Sequence, residues 1–178
     1  LYKGHKIVPY CPRCGTALSS HEVAQGYKDV KETSVVARFK VKGRENAYIL
    51  AWTTTPWTLP SNVALCMNPD ETYVEIESGG VRYILAEALA SKFFEEYTVV
   101  EKRTGKEYEG TEYEPLFDYA KDSFREKAYY VVCDTYVTLT DGTGVVHIAP
   151  AFGEDDYKVG RRYNLPVVQL VNERGCFD

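Results

Sequence analysis

Short segments in which apolar residues occupy every second position recur along most of this chain. The first is the run of Val35, Ala37, Phe39 and Val41, which has the period of a strand with one buried face. Turn residues such as Gly79-Gly80 separate the segments. Further strands are predicted at 48–53, 72–77, 81–85, 97–103, 129–132, 144–148 and 166–171. The chain is therefore predicted to be rich in β-structure.

Two segments have the pattern of a helix. Leu85, Leu89 and Phe93 repeat every fourth residue and predict a helix over 86–96. Residues 154–163 begin with acidic and end with basic side chains, as the helix dipole favours. Helices between only some of the strands argue against a regular βαβ series. We predict an α+β fold, mainly β, with a closed or nearly closed, barrel-like sheet and a few peripheral helices.

The chain divides by composition into two regions. Residues 1–33 contain a cysteine knuckle and a polar stretch with little apolar periodicity, and we interpret them as a linker region. Residues 34–178 are predicted to form the main domain. Because the chain begins with Leu1 and ends just after a predicted strand and turn, we interpret it as a fragment of a larger protein.

The charge balance limits the kind of partner. The 178 residues carry 21 Lys+Arg against 26 Asp+Glu, a net charge of −5, so any contact with RNA must be local. No stretch approaches the roughly 18 apolar residues of a membrane span, and no signal-peptide pattern opens the chain. The five cysteines are an odd number, which disfavours a disulfide framework. We predict a cytoplasmic protein with reduced thiols.

Cys11 and Cys14 are separated by two residues and followed by Gly15. This spacing is half of a tetrahedral zinc site. His5 or His21 can add a ligand, but a complete site needs a further distant one. Plain thiols and a redox pair are the alternatives, and a knuckle with Pro12 disfavours the redox pair.

Residues 53–62 (TTTPWTLPSN) follow an apolar strand and are unusually rich in threonine, tryptophan and proline. Prolines stiffen the turn, and several hydroxyls in a small volume suit a ribose, a phosphate or a water molecule. The alternative is a threonine-rich strand end with tryptophans anchored in the core.

Residues 142–156 (GTGVVHIAPAFGEDD) place His147 on a strand, then a Pro/Gly loop, then an acidic helix start. Such a histidine can donate or accept a proton, and a carboxylate in the first helical turn can bind a ligand cation. The alternatives are a structural histidine and acidic groups that only cap the helix. The chain contains no Gly-x-Ser-x-Gly, Walker or His-Glu-x-x-His motif.

Together the segments 53–62, 142–147 and 153–157 resemble the editing insertion, called CP1, of the isoleucyl-tRNA synthetases, which are class I aminoacyl-tRNA synthetases. The likeness extends over nearly the whole chain. Valyl and leucyl relatives carry a Thr-Thr-Arg-Pro form of the first segment, whereas this chain has Thr-Thr-Thr-Pro-Trp. The resemblance therefore favours the isoleucyl family, with the sister families as the near alternative.

The resemblance implies a β-barrel-like domain inserted into an ATP-dependent ligase of protein biosynthesis. Such a domain hydrolyses valine wrongly attached to isoleucine tRNA and helps to clear valyl-adenylate. The implied partners are the 3′ end of that tRNA, valyl-adenylate and the rest of the synthetase chain. A non-catalytic module that docks tRNA is an alternative of a different class.

The resemblance also implies roles for individual residues. Asp156 binds the α-ammonium of the mischarged valine, and His147 lies beside the side-chain pocket and helps to exclude isoleucine. Thr54, Thr55 and Asn62 hold the terminal adenosine, the ester and a water molecule. Weaker substrate-binding candidates are Thr53, Trp57 and Asp155. In the family a pair such as Cys11 and Cys14 is completed by cysteines beyond the insertion, so the chain itself is expected to hold no cofactor and zinc belongs to the intact enzyme.

Overall fold

The computed structural model describes residues 6–29, 31, 33–120 and 122–177. The strands are β1 (Tyr10–Cys11), β2 (Thr16–Ala17), β3 (Val35–Lys40), β4 (Ala47–Thr53), β5 (Ala64–Met67), β6 (Thr72–Ser78), β7 (Val81–Ala86), β8 (Thr98–Thr104), β9 (Tyr130–Cys133) and β10 (Val145–Ile148). The α-helices are α1 (Ser20–Ala24), α2 (Ala90–Phe93), α3 (Gly105–Tyr108) and α4 (Glu154–Tyr163), and 3-10 helices span Pro56–Ser61 and Glu87–Leu89.

The larger sheet has five strands in the order β3-β4-β7-β6-β8. All of its pairings are antiparallel except that of β4 with β7. In β3, Ala37 and Phe39 are buried and Arg38 between them is exposed, which is the alternation that the sequence predicts. Antiparallel pairing brings Phe39 opposite Ile49 of β4.

The smaller sheet has three strands in the order β10-β5-β9. β5 is its central strand, antiparallel to β10 and parallel to β9. Leu65 and Met67 of β5 join a hydrophobic core that includes Phe39 and Ile49 of the larger sheet. Cys66, on the other face, packs in a second core with Val159 of α4. The smaller sheet therefore lies between the larger sheet and α4.

The predicted mainly β, α+β class is confirmed. The described strands form the larger sheet, the smaller sheet and the β1–β2 hairpin. Closure of these strands into a barrel stays a prediction. The division at residue 33 also stays a prediction.

Two sequence-based predictions of elements need correction. The segment 166–171 forms no strand, because its backbone makes only an isolated bridge, from Val171 to Phe177. Its apolar character serves the second core instead, where Val168 packs. The predicted helix over 86–96 is shorter, since β7 continues to Ala86 and the helical turns end at Phe93. β5 was not predicted, because its sequence ALCM has no alternation and no β-branched or aromatic residue. The equally buried β9 has the sequence YVVC, which favours a strand.

Gly144 shows why a glycine precedes β10. Its φ is +73°, and an added Cβ would lie 2.4 Å from Ala86 Cβ. Gly80 has a similar φ of +77° with no atom within 4 Å of an added Cβ.

We predict that Gly144→Ala lowers the free energy of unfolding by about 3 kcal/mol or more, because it adds a clash to the backbone strain. Gly80→Ala should cost only the strain, about 1–2 kcal/mol.

Urea unfolding of both variants measures this difference. Equal losses would mean that the packing around Gly144 relaxes without cost.

Candidate functional site

The threonine-rich segment turns the chain from β4 in the larger sheet to β5 in the smaller sheet. Thr53 is the buried last residue of β4, Thr54 is exposed and Thr55 is half-buried. The Thr55 N–H donates to Thr53 Oγ1 at 3.0 Å, and Thr58 Oγ1 donates to the Thr55 carbonyl at 2.8 Å. Pro56 opens the 3-10 helix, where its fixed φ is favourable. The hydroxyls of Thr54 and Thr55 therefore lie on a stiff turn.

His147 lies on β10 and is 6% exposed. It pairs with Leu65 of β5 in the sheet register, and its Nε2 lies 3.0 Å from Thr58 Oγ1. Burial lowers the pKa of His147 to about 4, because desolvation disfavours the charged imidazolium. The ring is therefore neutral at neutral pH.

Asp156 lies in the first turn of α4 and is half-buried. Its Oδ2 accepts from the Ala149 N–H at 3.2 Å, and its Oδ1 lies 3.5 Å from the hydroxyl of Tyr136. Burial raises the pKa of Asp156 to about 6, although both hydrogen bonds act in the opposite direction. Above that pH the group is a desolvated carboxylate.

The neighbouring Asp155 differs from Asp156 in its surroundings. It is exposed and forms an ion pair with Lys158 at 3.1 Å, and Lys158 also pairs with Glu154 at 3.2 Å. An exposed pair of this kind is worth little and is screened by salt. Of the two adjacent aspartates, only Asp156 has the burial that makes a carboxylate a strong partner for a cation.

A cavity of about 750 Å³ borders both candidate segments, but Thr54, Thr55, His147 and Asp156 are not among its lining residues. Trp57 from the threonine-rich turn lines it together with Ala151 and Phe152 from the loop between β10 and α4. Residues 6–10 and 169–175 supply further lining. Trp57 is 58% exposed, so a large aromatic face is open to a ligand there.

Asn62 is 5% exposed, and its amide already has two partners. Its Nδ2 donates to the Ala64 carbonyl at 2.8 Å, and its Oδ1 accepts from the Tyr113 hydroxyl at 2.6 Å. In this structure Asn62 fixes the entry to β5. Its contact with a substrate stays a prediction, as do the other assigned roles in the site.

The cysteine knuckle is the turn of the β1–β2 hairpin. The Cys14 N–H donates to Cys11 Sγ at 3.4 Å, and this backbone hydrogen bond is the main cause that lowers the pKa of Cys11. His21 Nε2 is hydrogen-bonded to Gln25 at 2.8 Å, and His5 lies outside the described residues. No group of three or more potential ligands occurs in the described part of the chain. The two thiols therefore do not fit a zinc ion by themselves.

The remaining buried thiols are poor nucleophiles. Burial raises the pKa of Cys66 and raises that of Cys133 to about 11, so both are protonated thiols at neutral pH.

Among the helices that the structure describes, none is long and apolar enough to cross a membrane.

Comparison with known sequences shows what this chain is similar to. The chain is 62% identical over 178 residues to the isoleucine–tRNA ligase of Clostridium novyi. It is 50% identical over 178 residues to that of Picrophilus torridus. The chain is homologous to one segment of the isoleucine–tRNA ligases. The matches cover 99% and 100% of this chain but 17% of each relative. No protein-family model matches.

The fold resembles leucyl-tRNA synthetase editing structures. The GlLeuRS-CP1 crystal structure matches with a TM-score of 0.59 at 16% identity, covering 76% of this chain and 66% of that one. The P. knowlesi cytosolic leucyl-tRNA synthetase editing domain matches with a TM-score of 0.58 at 15% identity, covering 80% and 70%. This chain thus shares the fold of leucyl-type editing domains.

Tyr136 offers a direct test of the carboxylate geometry. Because its hydroxyl stabilises the charged form of Asp156, we predict that Tyr136→Phe raises the pKa of Asp156 further above about 6. Tyr130→Phe is the matched control, since the Tyr130 hydroxyl bonds the Tyr163 carbonyl instead. Carboxyl ¹³C chemical shifts followed through a pH titration measure this. An unchanged pKa in Tyr136→Phe would show that the 3.5 Å contact carries no hydrogen bond.

Proposed function

We propose that this chain is a hydrolytic editing domain that removes valine from isoleucine tRNA and helps to clear valyl-adenylate. The observation that carries the proposal is the desolvated carboxylate of Asp156, on a chain homologous to isoleucine–tRNA ligases. Neither of its hydrogen-bond partners, the Ala149 N–H and the Tyr136 hydroxyl, is a cation. A buried carboxylate without a cation is costly, and a ligand ammonium would offset that cost.

In this proposal the α-ammonium of the aminoacyl group binds Asp156. The two donors that hold the carboxylate oxygens limit its rotation, so an ammonium bound there has a defined position. Fixing the ammonium fixes the adjacent ester carbonyl relative to the threonine turn. The ion pair thus positions the scissile bond, which converts binding energy into orientation.

His147 acts as a wall of the acyl pocket rather than as a base. The ring is neutral and 6% exposed, and its Nε2 is already hydrogen-bonded to Thr58. An ordinary apolar pocket favours the larger isoleucine by about 1–3 kcal/mol for its extra methylene. A wall that fits valine and clashes with that methylene reverses this preference.

The hydrolytic step requires water at the ester carbonyl carbon. The water oxygen forms a bond to that carbon, and the bond from the carbon to the ribose oxygen breaks. One proton of the water reaches the ribose oxygen and the other is released from the new carboxyl group to solvent, so the products are free valine and uncharged tRNA. We assign the hydroxyls of Thr54 and Thr55 to water and oxyanion positioning, since they lie on a stiff turn.

Other residues have supporting roles in the proposal. Trp57 provides an apolar face for the adenosine or the acyl group, because it lines the cavity and is exposed. Thr53 supports Thr55 through its hydroxyl. Asn62 and Asp155 are the remaining substrate-binding candidates, and their contacts in this structure support only bracing and an exposed ion pair.

We further propose that the chain works within a longer cytoplasmic synthetase that supplies most of the tRNA affinity. A surface with net charge −5 suits contact with only the single-stranded 3′ end. Residues 1–33 would link the domain to that enzyme, and residues 34–178 would form the editing body with its sheets in a barrel-like arrangement. Zinc at Cys11 and Cys14 would need ligands from outside this chain.

Deacylation measures the function directly. We expect this chain to release valine from valyl-tRNA and to leave isoleucyl-tRNA intact, both on isoleucine tRNA. Asp156→Asn should lower valine release about 100-fold, which corresponds to about 2.7 kcal/mol, because the ammonium loses a desolvated partner. The control is Glu154→Gln, an exposed acid of the same helical turn.

Full activity in Asp156→Asn would contradict the ammonium role. Release of threonine from valine tRNA instead would favour a sister editing specificity, and binding of tRNA without any hydrolysis would favour a docking module.

The pH dependence follows from the pKa of Asp156. Because burial raises that pKa to about 6, the carboxylate is lost as the pH falls through this value. We predict that kcat/KM for valyl-tRNA is level above pH 7 and falls tenfold per pH unit below pH 6. His147 is neutral throughout this range. Initial rates from pH 5 to 8 test this, and a profile that is level down to pH 5 would contradict it.

A further inference from the structure

Thr58 has a single hydroxyl proton and two close polar neighbours. Its Oγ1 lies 2.8 Å from the Thr55 carbonyl oxygen, which can only accept a hydrogen bond. This carbonyl also accepts from the Thr58 backbone N–H at 3.0 Å. Two oxygens 2.8 Å apart repel each other unless a proton lies between them, so the Thr58 hydroxyl proton points to the carbonyl. Thr58 is 7% exposed, so bulk water does not compete for it.

The same oxygen lies 3.0 Å from His147 Nε2. Because the Thr58 proton is used elsewhere, the hydroxyl is the acceptor in this contact and Nε2 carries the hydrogen. The Thr55 hydroxyl, 3.5 Å from Thr58 Oγ1, is too distant to take over the role of the carbonyl.

The other ring nitrogen gives an independent argument. His147 Nδ1 is buried and has no hydrogen-bond partner within the part of the chain that the structure describes. A proton on Nδ1 would bury an unpaired N–H and would also leave two facing lone pairs at Nε2 and Thr58. A proton on Nε2 leaves only one unpaired acceptor, the smaller cost.

We propose that Thr58 is a positioning residue that fixes His147 as the Nε2–H tautomer and holds its ring as a rigid wall of the acyl pocket. The second half of this inference rests on the proposed editing function. Thr58 lies between the turn that carries Thr54 and Thr55 and the strand that carries His147. It therefore couples the ester-binding turn to the side-chain pocket.

The fixed tautomer has a chemical consequence. Nε2 already carries a proton, and Nδ1 is enclosed by protein atoms, so neither nitrogen can take a proton from the attacking water. What the ring supplies is shape. A wall that can rotate would admit the larger isoleucine, whereas a hydrogen-bonded wall keeps the pocket at the size of valine.

Nuclear magnetic resonance tests the tautomer without any activity assay. Long-range ¹H–¹⁵N correlation distinguishes protonated from unprotonated ring nitrogens, and the chain has only three histidines; the His147→Gln spectrum assigns the signals. We expect Nε2–H for His147 at pH 7 in the wild type and in Thr58→Ser. Thr58→Val has nearly the same shape but no hydroxyl, and it should give mixed tautomers. A wild-type Nδ1–H pattern, or an unchanged pattern in Thr58→Val, would overturn the inference.

Deacylation then tests the role in specificity. We expect Thr58→Val to lower the ratio of valine to isoleucine release about tenfold, and Thr58→Ser to restore it to within about threefold of the wild type. If Thr58→Val does not fold, Thr58→Ala takes its place, and thermal unfolding checks each variant. An unchanged ratio in a folded variant that lacks the hydroxyl would overturn the positioning role.

The two measurements separate this inference from the proposed function. If the wild type releases valine but does not show the Nε2–H pattern, the tautomer inference is wrong and the proposed editing function stands. A wild type that keeps the pattern but releases no valine would overturn the editing function, and the role of the wall with it, while the assignment of the tautomer would stand.

Discussion

The pairing of β5 with β10 determines where the functional segments lie. β5 is the central strand of the smaller sheet and begins three residues after the end of the 3-10 helix of the threonine-rich turn. Its antiparallel register places Leu65 opposite His147, so the end of the turn and the histidine strand meet side by side. A slip of one residue would turn His147 to the opposite face of the sheet. Burial of both faces of β5 fixes this register.

The carboxylates of the buried Glu75 and the half-buried Asp156 have opposite surroundings. Glu75 is 2% exposed, and its oxygens accept from Arg44 at 2.8 and 2.7 Å and from Arg82 at 3.2 Å. These cations hold the pKa of Glu75 below its usual value. Asp156 has only neutral donors, and its pKa is raised. Glu75 thus has cationic partners within the protein, whereas in the proposed function the cation that partners Asp156 comes from the ligand.

The alternation of apolar and polar residues predicts β3 well, because Ala37 and Phe39 are buried and Arg38 between them is exposed. β5 does not show this alternation, because both of its faces are covered. The helix predicted over 86–96 is short because tertiary pairing extends β7 to Ala86, and Phe94 then packs in extended conformation against Tyr83 at 4.9 Å. In β5 and in the segment 86–96, tertiary packing outweighs the local preference of the residues for one secondary structure.

The candidate site was found largely through motif resemblance, and the structure adds what spacing cannot show. Sequence alone does not distinguish Asp155 from Asp156, because their difference is burial. It also gives no sign that Thr58 contacts His147, which lies 89 residues later in the chain. Such a contact depends on the register of β5 and β10, and no local pattern encodes it.

The proposed editing function depends on Asp156 binding the ammonium of an aminoacyl ester, although Asp156 is not among the residues that line the cavity beside Trp57. A crystal structure of this chain with a non-hydrolysable valyl-adenosine analogue tests it most directly. The account predicts the ammonium nitrogen within hydrogen-bond distance of an Asp156 carboxylate oxygen, and the valine side chain beside His147. An analogue bound elsewhere, or with its ammonium on Asp155, would contradict the account.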